Sequence, residues 1–250
     1  MPDTKILITG ASSGLGAALA RVHAGPGVTL VLWGRDAARL DAVAAQCRAL
    51  GAATDTDNFD LAGIPAMTAR LSACDNAAPI DLAIFCAGIG GMIPQDALAQ
   101  DAQAAHLMAD VNFTSPTVGA SLLSGLMAAR RRGQIVLVGS IAESFALPMS
   151  PLYAGSKAGL ALFAEALANR MTPYRVAVTL VSPGYIDTPM SQQLNKPRPF
   201  LLTAEQAAII LKRKIAKRPR RIVIPWQFIW LRGIAVWLPR PLQRFILARA

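Results

Sequence analysis

Cysteine and histidine are scarce in this chain of 250 residues, which holds three cysteines and two histidines. Their spacing forms neither pairs nor a metal-binding pattern, since Cys47, Cys74 and Cys86 are far apart and neither His23 nor His106 lies near them. An odd number of scattered cysteines argues against a disulfide framework and is typical of a reducing compartment. We therefore expect free thiols and no metal site.

The chain also lacks segments that would precede or divide a single domain. Lys5 is followed at once by the apolar run Ile6-Leu7-Ile8, which leaves no room for a secretory signal. We find no repeat, no low-complexity tract and no linker rich in Ser or Gly. At this length an α/β chain commonly forms one domain with a large core. We expect a cytoplasmic protein.

Acidic residues are almost absent from the last part of the chain. Residues 1–195 hold 12 Lys and Arg against 14 Asp and Glu, whereas residues 196–250 hold 13 against 1. Such an asymmetry indicates a polyanionic partner or surface. The first 195 residues are thus nearly neutral, and the basic charge lies after them. We expect the chain to divide into a main domain, residues 1–225, and a basic, Trp-rich helical extension, residues 226–250.

The extension contains three of the four tryptophans, at positions 226, 230 and 237. A helix over residues 226–238 would be only about 20 Å long, too short for the ~30 Å hydrocarbon core of a bilayer. Its tryptophans and flanking arginines suit a helix lying in a membrane interface, peripheral to the inner face of a membrane. The alternative is packing on a partner subunit or over the protein's own substrate pocket, with the basic residues 212–221 as a solvated face.

Apolar runs of strand length alternate with longer helical patterns along the body. This alternation predicts a Rossmann-type, doubly wound parallel α/β sheet of about seven strands in a single domain. The predicted strands are 4–9, 28–33, 52–56, 80–85, 134–139, 176–181 and 221–224. The predicted helices are 14–24, 36–50, 63–76, 101–131 (continuous or broken), 152–171 and 203–216.

A glycine-rich turn joins the first strand to the first helix. It comprises residues Gly10 to Gly16 and reads Gly10-Ala11-Ser12-Ser13-Gly14-Leu15-Gly16. Glycines allow the backbone to turn tightly and to approach a pyrophosphate, whose charge then meets the N–H groups at the start of the helix. The turn therefore predicts a dinucleotide site.

Tyr153 and Lys157 form a Y-x-x-x-K pattern thirteen residues after Ser140. Residues i and i+4 of a helix share one face, so the Lys157 ammonium can lie near the Tyr153 phenol and lower its pKa from about 10. Such a tyrosine exchanges a proton with a carbonyl or an alcohol. Ser140 can donate a hydrogen bond to the same oxygen.

In these motifs and their order the chain resembles the classical short-chain dehydrogenase/reductase family, from about residue 4 to about residue 203. Further matching pieces are Asp60-Leu61, Asn112 and Ser182 to Thr188. One piece departs from the family pattern, because Cys86-Ala87-Gly88 stands where the family usually has Asn-Asn-Ala-Gly. The missing Asn side chains are expected to loosen a structural hydrogen bond there.

The resemblance implies an enzyme that transfers hydride between a nicotinamide and a carbonyl or alcohol. The implied catalytic residues are Asn112, Ser140, Tyr153 and Lys157, with Asn112 fixing a water and Lys157 also holding the ribose. The implied cofactor contacts are Gly10, Ser12, Ser13, Gly14, Leu15, Gly16, Asp60 (to the adenine), Leu61, Cys86, Ala87, Gly88, Tyr153, Lys157, Pro183, Gly184, Ile186 and Thr188.

The end of the second strand favours NADP(H), with NAD(H) as the alternative. The fold places a ribose-reading acid about 20 residues beyond the glycine turn, and by resemblance that position is Gly34, which has no carboxylate. Arg35 follows, and its guanidinium can bind a 2′-phosphate. Asp36 is the rival reader of the ribose, but its place before a helix also suits an N-cap.

The substrate is predicted to be a small, apolar ketone, aldehyde or secondary alcohol. This prediction rests on residues expected to line the pocket: Glu143, Phe145, Pro148, Met149, Tyr185, Met190 and Leu194. Residues 190–200 suit a lid over the active site.

By resemblance the enzyme is a homodimer or homotetramer. A competing hypothesis from another class is a dinucleotide-fold binding protein that acts through its basic tail on anionic lipid or, without specificity, on nucleic acid.

Overall fold

The computed structural model describes residues 4–94, 97–194 and 197–230 of the chain. Seven parallel strands form its central sheet, in the order β3, β2, β1, β4, β5, β6, β9. These strands are β1 (Thr4–Thr9), β2 (Val28–Gly34), β3 (Ala53–Asn58), β4 (Leu82–Phe85), β5 (Gly133–Val138), β6 (Val176–Pro183) and β9 (Arg221–Ile224). The predicted strands are confirmed, and their ends agree within about two residues, the usual scatter of such boundaries.

Eight α-helices have both of their ends within the described residues. They are α1 (Gly14–His23), α2 (Ala37–Ala49), α3 (Ile64–Ala77), α4 (Ala102–Ala109), α5 (Ser115–Ala129), α6 (Pro151–Met171), α7 (Pro189–Gln192) and α8 (Ala204–Ile215). The long helical stretch 101–131 is broken by a π-helical turn, Asp110–Thr114, between α4 and α5. The short strands β7 (Ile186–Asp187) and β8 (Leu202–Thr203), which pair with each other, and the helix α7 were not predicted.

Two hydrophobic layers cover the two faces of the sheet, as expected for a doubly wound fold. One layer contains side chains of α1, α2 and α8, and the other contains side chains of α3, α5 and α6. The six residues of β5 are all buried because helices cover both of its faces. Within the described residues, no helix combines the length and the apolar character needed to cross a bilayer.

The strand order reverses between β1 and β4, which are neighbours in the sheet although β2 and β3 lie between them in sequence. Ligands of doubly wound folds bind at this switch point, outside the carboxyl ends of the strands. The glycine turn leaves β1 there, and Cys86 to Gly88 leave β4 there. The fold therefore brings the predicted cofactor residues to one edge of the sheet.

Candidate active site

The glycine turn and the turn after β4 approach each other too closely for side chains. A Cβ on Gly10 would lie 2.8 Å from Ala87 Cα, and Gly10 has a φ of +69°, which favours glycine. A Cβ on Gly16 would lie 2.2 Å from the Gly10 carbonyl oxygen. The side chain of Ser13, at the N-cap of α1, makes no capping hydrogen bond. The turn thus fits a pyrophosphate, because bare backbone and the first N–H groups of α1 face the switch point.

The side chain of Thr9 is hydrogen-bonded to the backbone of the atypical Cys86-Ala87-Gly88 turn. The Thr9 Oγ1 accepts hydrogen bonds from the backbone N–H groups of Cys86 and Ala87, each at 3.1 Å. Thr9 thus links the end of β1 to the turn after β4. Burial raises the pKa of the Cys86 thiol to about 12, so this thiol is neutral at physiological pH.

Asn112 lies in the π-helical turn and is fully buried. Its side chain makes a two-way contact with the backbone of Ile89, because Oδ1 accepts from the Ile89 N–H and Nδ2 donates to the Ile89 carbonyl, both at 2.8 Å. A Cβ on Gly88 would stand 3.3 Å from Asn112 Oδ1 and 3.5 Å from Lys157 Nζ. The π turn, often found at functional sites, thus places Asn112 beside Lys157 and the loop after β4.

Ser140, Tyr153 and Lys157 meet at the carboxyl end of β5. Ser140 lies two residues beyond the end of the strand, and its Oγ accepts from the Ala142 N–H at 3.1 Å. Tyr153 and Lys157 lie on α6, with Lys157 Nζ 5.9 Å from the centre of the Tyr153 ring. The Lys157 ammonium also donates to the carbonyl of Val138 at 3.1 Å. The sequence prediction that these three residues converge is consistent with this geometry.

The predicted lowering of the Tyr153 pKa is wrong for this arrangement. Burial raises the pKa of Tyr153, because the phenolate would lose its hydration, and a side-chain hydrogen bond with Ser140 only partly opposes that shift. Burial also lowers the pKa of Lys157, to about 8, against the opposing influence of Cys86 and Glu143. The result is a phenol that keeps its proton at neutral pH, next to a lysine that titrates near that range.

Asp36 and Arg35, the two residues that could contact the ribose or its phosphate, have different surroundings after β2. Asp36 is the N-cap of α2, as predicted, and its carboxylate accepts from the Arg39 N–H at 2.9 Å and pairs with Arg39 Nε at 2.7 Å. The Arg39 N–H holds the pKa of Asp36 below its usual value. A Cβ on Gly34 would lie 3.1 Å from Ser12 Cβ. Arg35 is exposed beside this contact between β2 and the glycine turn.

Asp60 and Leu61 follow β3. The Asp60 Oδ1 accepts from the Ala62 N–H at 3.0 Å, a local turn of the kind that Asp commonly makes, and Leu61 is buried. The other carboxylate oxygen of Asp60 makes no hydrogen bond among the described contacts. The turn thus fixes the orientation of this carboxylate without using both of its oxygens.

The segment after β6 runs back toward the glycine turn. Gly184 donates its N–H to the Ile224 carbonyl at 2.7 Å. Thr188 is the N-cap of α7 in a capping box with Ser191. A Cβ on Gly14 would lie 3.1 Å from Thr188 Cγ2, so this segment faces the glycine turn across the switch point.

The residues predicted to line the substrate pocket fall into two groups. Glu143, Phe145 and Pro148 border a cavity of about 600 Å³ beside the first turns of α6. The carboxylate of Glu143 contacts Ser182 and Arg221.

The second group consists of Met149, Tyr185, Met190 and Leu194, and its two methionines contact the loop at residues 90–93. A Cβ on Gly90 would lie 3.0 Å from Met190 Cγ, and the Met149 carbonyl accepts from the Ile93 N–H at 2.8 Å. Tyr185 packs edge-on against Phe228, with 6.3 Å between the ring centres. Leu194 donates its N–H to the Ser191 carbonyl at 3.1 Å, near the end of α7. Met149 and Met190 thus lie next to the loop that begins at Ile89, where Asn112 is bonded.

Sequence reasoning missed three residues that support the site: Thr9, Val138 and Arg221. Thr9 and Val138 act through a hydroxyl and a carbonyl at strand ends, which no spacing rule identifies. Arg221 was grouped with the solvated basic residues 212–221, but its side chain is only 23% exposed and pairs with Glu143. Arg221 is the first residue of an apolar strand, and this position in the sequence could have indicated that its side chain is partly buried.

Comparisons with known proteins identify the family of this chain. A sequence profile of the family described as short chain dehydrogenase matches residues 4–199. An uncharacterized oxidoreductase of Mycobacterium tuberculosis (strain ATCC 25618 / H37Rv) is 35% identical over 100% of this chain and 99% of its own length. An uncharacterized oxidoreductase of Myxococcus xanthus (strain DK1622) is 31% identical over 94% of this chain and 93% of its own length.

A solved structure, a short-chain dehydrogenase from Sphingobium yanoikuyae in complex with NADPH, has a TM-score of 0.82 to this chain. It is 24% identical and the match covers 95% of this chain and 97% of that one, so the likeness concerns the fold. The family profile matches most of the chain, and the two relatives span almost all of it. Together they identify more than the fold. The chain belongs to the short-chain dehydrogenase/reductase family and is an NAD(P)-dependent oxidoreductase.

Proposed function

We propose that the protein is an NADP(H)-dependent reductase of apolar ketones or aldehydes, which also runs in reverse as an alcohol dehydrogenase. The observation that carries this proposal is the convergence of Ser140, Tyr153 and Lys157 at the switch point, opposite the glycine turn. When bound, a reduced nicotinamide would supply the hydride. The protein's own residues must then place the carbonyl and supply the proton.

Tyr153 is the proton donor in this mechanism. Its raised pKa keeps the phenol protonated at neutral pH, which suits donation to the oxygen of a carbonyl as negative charge grows there. Ser140, hydrogen-bonded to Tyr153, stabilises the same oxygen with its hydroxyl. The buried ammonium of Lys157 stabilises the phenolate that remains, and by resemblance Asn112 fixes a water through which the proton is restored.

Preference for NADP(H) is supported by the three residues that end β2 and begin α2. Gly34 has no carboxylate, Asp36 is engaged by Arg39, and the exposed Arg35 makes no ion pair among the described contacts. A guanidinium without a carboxylate partner among the described contacts, on the residue that follows Gly34, suits a 2′-phosphate. The NADPH in the Sphingobium structure is consistent with this preference.

Peripheral contact with an anionic membrane surface is a second proposal, and it concerns where the enzyme acts. Trp226, Ile229 and Trp230 are 62%, 53% and 69% exposed, and they adjoin the most basic part of the sequence. Exposed tryptophans next to arginines favour the interface of anionic lipid. The predicted helix begins in this segment, while its continuation over residues 231–238 lies outside the described residues.

Assembly into a homodimer or homotetramer is supported by one apolar side chain on the outer face of α6. Leu162 is 72% exposed there, and exposed apolar surface on a long helix is often covered by a partner. Light scattering of the purified protein tests this point. A monomeric mass at micromolar concentration would contradict it.

A screen of ketones and secondary alcohols tests the proposed activity. Each is incubated with NADPH and NADH, or with the oxidised cofactors, and the absorbance of the reduced nicotinamide is followed. We expect turnover of apolar ketones with NADPH at a higher kcat/KM than with NADH. Turnover that prefers NADH, or that prefers sugars to apolar ketones, would contradict the proposal.

A further inference from the structure

A buried carboxylate lies directly behind the catalytic turn. The Glu143 side chain is 3% exposed and forms an ion pair with Arg221, the first residue of β9. Its oxygens also accept hydrogen bonds from Ser182 Oγ, at 3.0 Å and 3.1 Å. A buried charge is tolerated when it is paired and hydrogen-bonded in this way. Glu143 is therefore fixed from two strands, β6 and β9.

The same residue is bonded to the turn that carries Ser140. The Glu143 N–H donates to the Ser140 carbonyl at 3.0 Å, within the 3₁₀ turn Ile141–Ser144 that Ser140 caps. The carboxylate folds back over the preceding backbone, since a Cβ on Gly139 would lie 3.2 Å from Glu143 Oε2. Movement of the Glu143 side chain would thus move the Ser140 hydroxyl.

Charge links Glu143 to Lys157 as well. The titratable groups around the Lys157 ammonium are Tyr153, on its own helix, and two groups whose charge acts on it, Cys86 after β4 and Glu143. Cys86 is neutral at physiological pH, because burial raises the pKa of its thiol to about 12. Glu143, itself paired with Arg221, is the acidic group whose field raises the pKa of Lys157 against burial.

We propose that Glu143 is a positioning residue of the proton-transfer site: anchored by Arg221 and Ser182, it holds the turn that carries Ser140 and balances the buried ammonium of Lys157. The reaction itself leaves Glu143 unchanged, and Arg221 acts only through it. This proposal rests on the proposed reductase function. It makes β9, the last strand of the sheet, part of the support of the reaction centre.

The direct test compares Glu143→Gln with a matched control, Asp75→Asn. Asp75 also carries a buried carboxylate, 5% exposed, in an ion pair with Arg130, but it lies away from the catalytic turn, where α3 ends before β4. Both variants lose a buried charge and should lose thermal stability. Only Glu143→Gln should move the pKa of Lys157 downward, by about one unit, because it removes a nearby negative charge.

The titration of Lys157 can be followed without any substrate. The chain has six lysines, so carbon-13 NMR of labelled lysine ε-carbons gives few signals, and Lys157→Arg identifies the one that belongs to Lys157. With an apolar ketone and NADPH, the alkaline limb of the kcat profile should move in the same direction. Because less of Lys157 is then protonated, kcat should fall at least about fivefold at pH 8. Asp75→Asn should leave both the titration and kcat within about twofold of the unmutated protein.

A second variant separates charge from geometry and covers the case in which Glu143→Gln does not fold. Glu143→Asp keeps the charge but shortens the side chain, so it should leave the Lys157 titration almost unchanged and lower kcat at least about fivefold through displacement of Ser140. A kcat for Glu143→Asp within about twofold of the unmutated protein would overturn the positioning role. A Lys157 titration that is unmoved in Glu143→Gln would overturn the role of the charge.

Failure of this proposal is distinguishable from failure of the proposed function. Turnover of ketones by the unmutated protein tests the function, whereas the lysine titration needs neither cofactor nor substrate. If Lys157 responds to Glu143 but no ketone is reduced, the proposed reaction is wrong and the electrostatic link stands. If ketones are reduced but Lys157 and kcat do not respond, Glu143 has only a structural role.

Discussion

Phe228 lies against the backbone of Gly184, so closely that a Cβ on Gly184 would stand 2.1 Å from Phe228 Cε2. The Phe228 ring is 4% exposed and also meets Phe200 edge-on, at 5.8 Å between ring centres. Gly184 belongs to the segment that by resemblance contacts the nicotinamide, and Phe200 ends the predicted lid. The first turn of the C-terminal extension is therefore packed beside the proposed active site.

Phe228→Ala should destabilise the protein by about 3 to 5 kcal/mol, the usual range for truncating a buried phenylalanine. It should also raise the KM for the ketone, because Phe200 and Gly184 lose the ring that supports them. Thermal unfolding and steady-state kinetics measure the two effects. Leu50→Ser is a suitable control, since Leu50 is 52% exposed and lies at the end of α2. A melting temperature for Phe228→Ala equal to that of the control would contradict the packing described for this ring.

The membrane proposal concerns the opposite, exposed side of the same turn. Replacing Trp226 and Trp230 by Ser together should abolish co-sedimentation with vesicles that contain phosphatidylglycerol, and should leave the melting temperature nearly unchanged because both side chains are exposed. Leu50→Ser again serves as the control. If the double variant still binds the vesicles, these tryptophans do not form the contact. If it loses stability as Phe228→Ala does, they pack against protein instead.

Arg35→Ala should weaken the binding of NADPH by about 1.5 to 3 kcal/mol, the range for a charge-assisted hydrogen bond, and leave NADH nearly unaffected. Fluorescence titration with both cofactors measures the difference. Arg48→Ala is the matched control, because Arg48 is an exposed arginine in the last turn of α2, the helix that follows Arg35, and contacts Thr54. Tighter binding of NADH than of NADPH by the unmutated protein would contradict the assignment of Arg35.

Strand and helix positions followed from the sequence because both rest on local patterns. The apolar runs of β5 and the glycine turn could be identified without tertiary knowledge, and so could the Asp36 cap. The direction in which the pKa of Tyr153 shifts could not be predicted from the sequence, since it depends on how deeply α6 and its neighbours bury the phenol. The same holds for Glu143, whose partner lies 78 residues away on β9 and is invisible to any spacing rule.

Lys157→Met should stabilise the protein at pH 7 while removing its activity. The folded state lowers the pKa of Lys157 from 10.5 to about 8, so the unfolded chain binds this proton more tightly. Protonation of Lys157 therefore opposes folding, fully so below about pH 8, and the penalty disappears as pH rises toward 10.5. The expected gain at pH 7 is on the order of 2 to 3 kcal/mol.

Denaturant unfolding of the unmutated protein and of Lys157→Met at pH 7 and pH 10 tests whether protonation of Lys157 opposes folding. The advantage of the methionine variant should shrink between the two values, because the unmutated protein gains stability over that interval. An advantage that grows with pH, or a destabilised variant at pH 7, would contradict the burial of a charged lysine at this position.

Tyr153→Phe tests the central claim most directly. Phenylalanine keeps the ring but lacks the proton, so single-turnover reduction of a ketone by bound NADPH should slow by at least about 100-fold, while the dissociation constant of NADPH changes by less than about threefold. The measurement is stopped-flow absorbance of the reduced cofactor, with NADPH binding followed by fluorescence. Retention of more than about a tenth of the unmutated rate, equivalent to a loss below ~1.4 kcal/mol, would contradict Tyr153 as the proton donor.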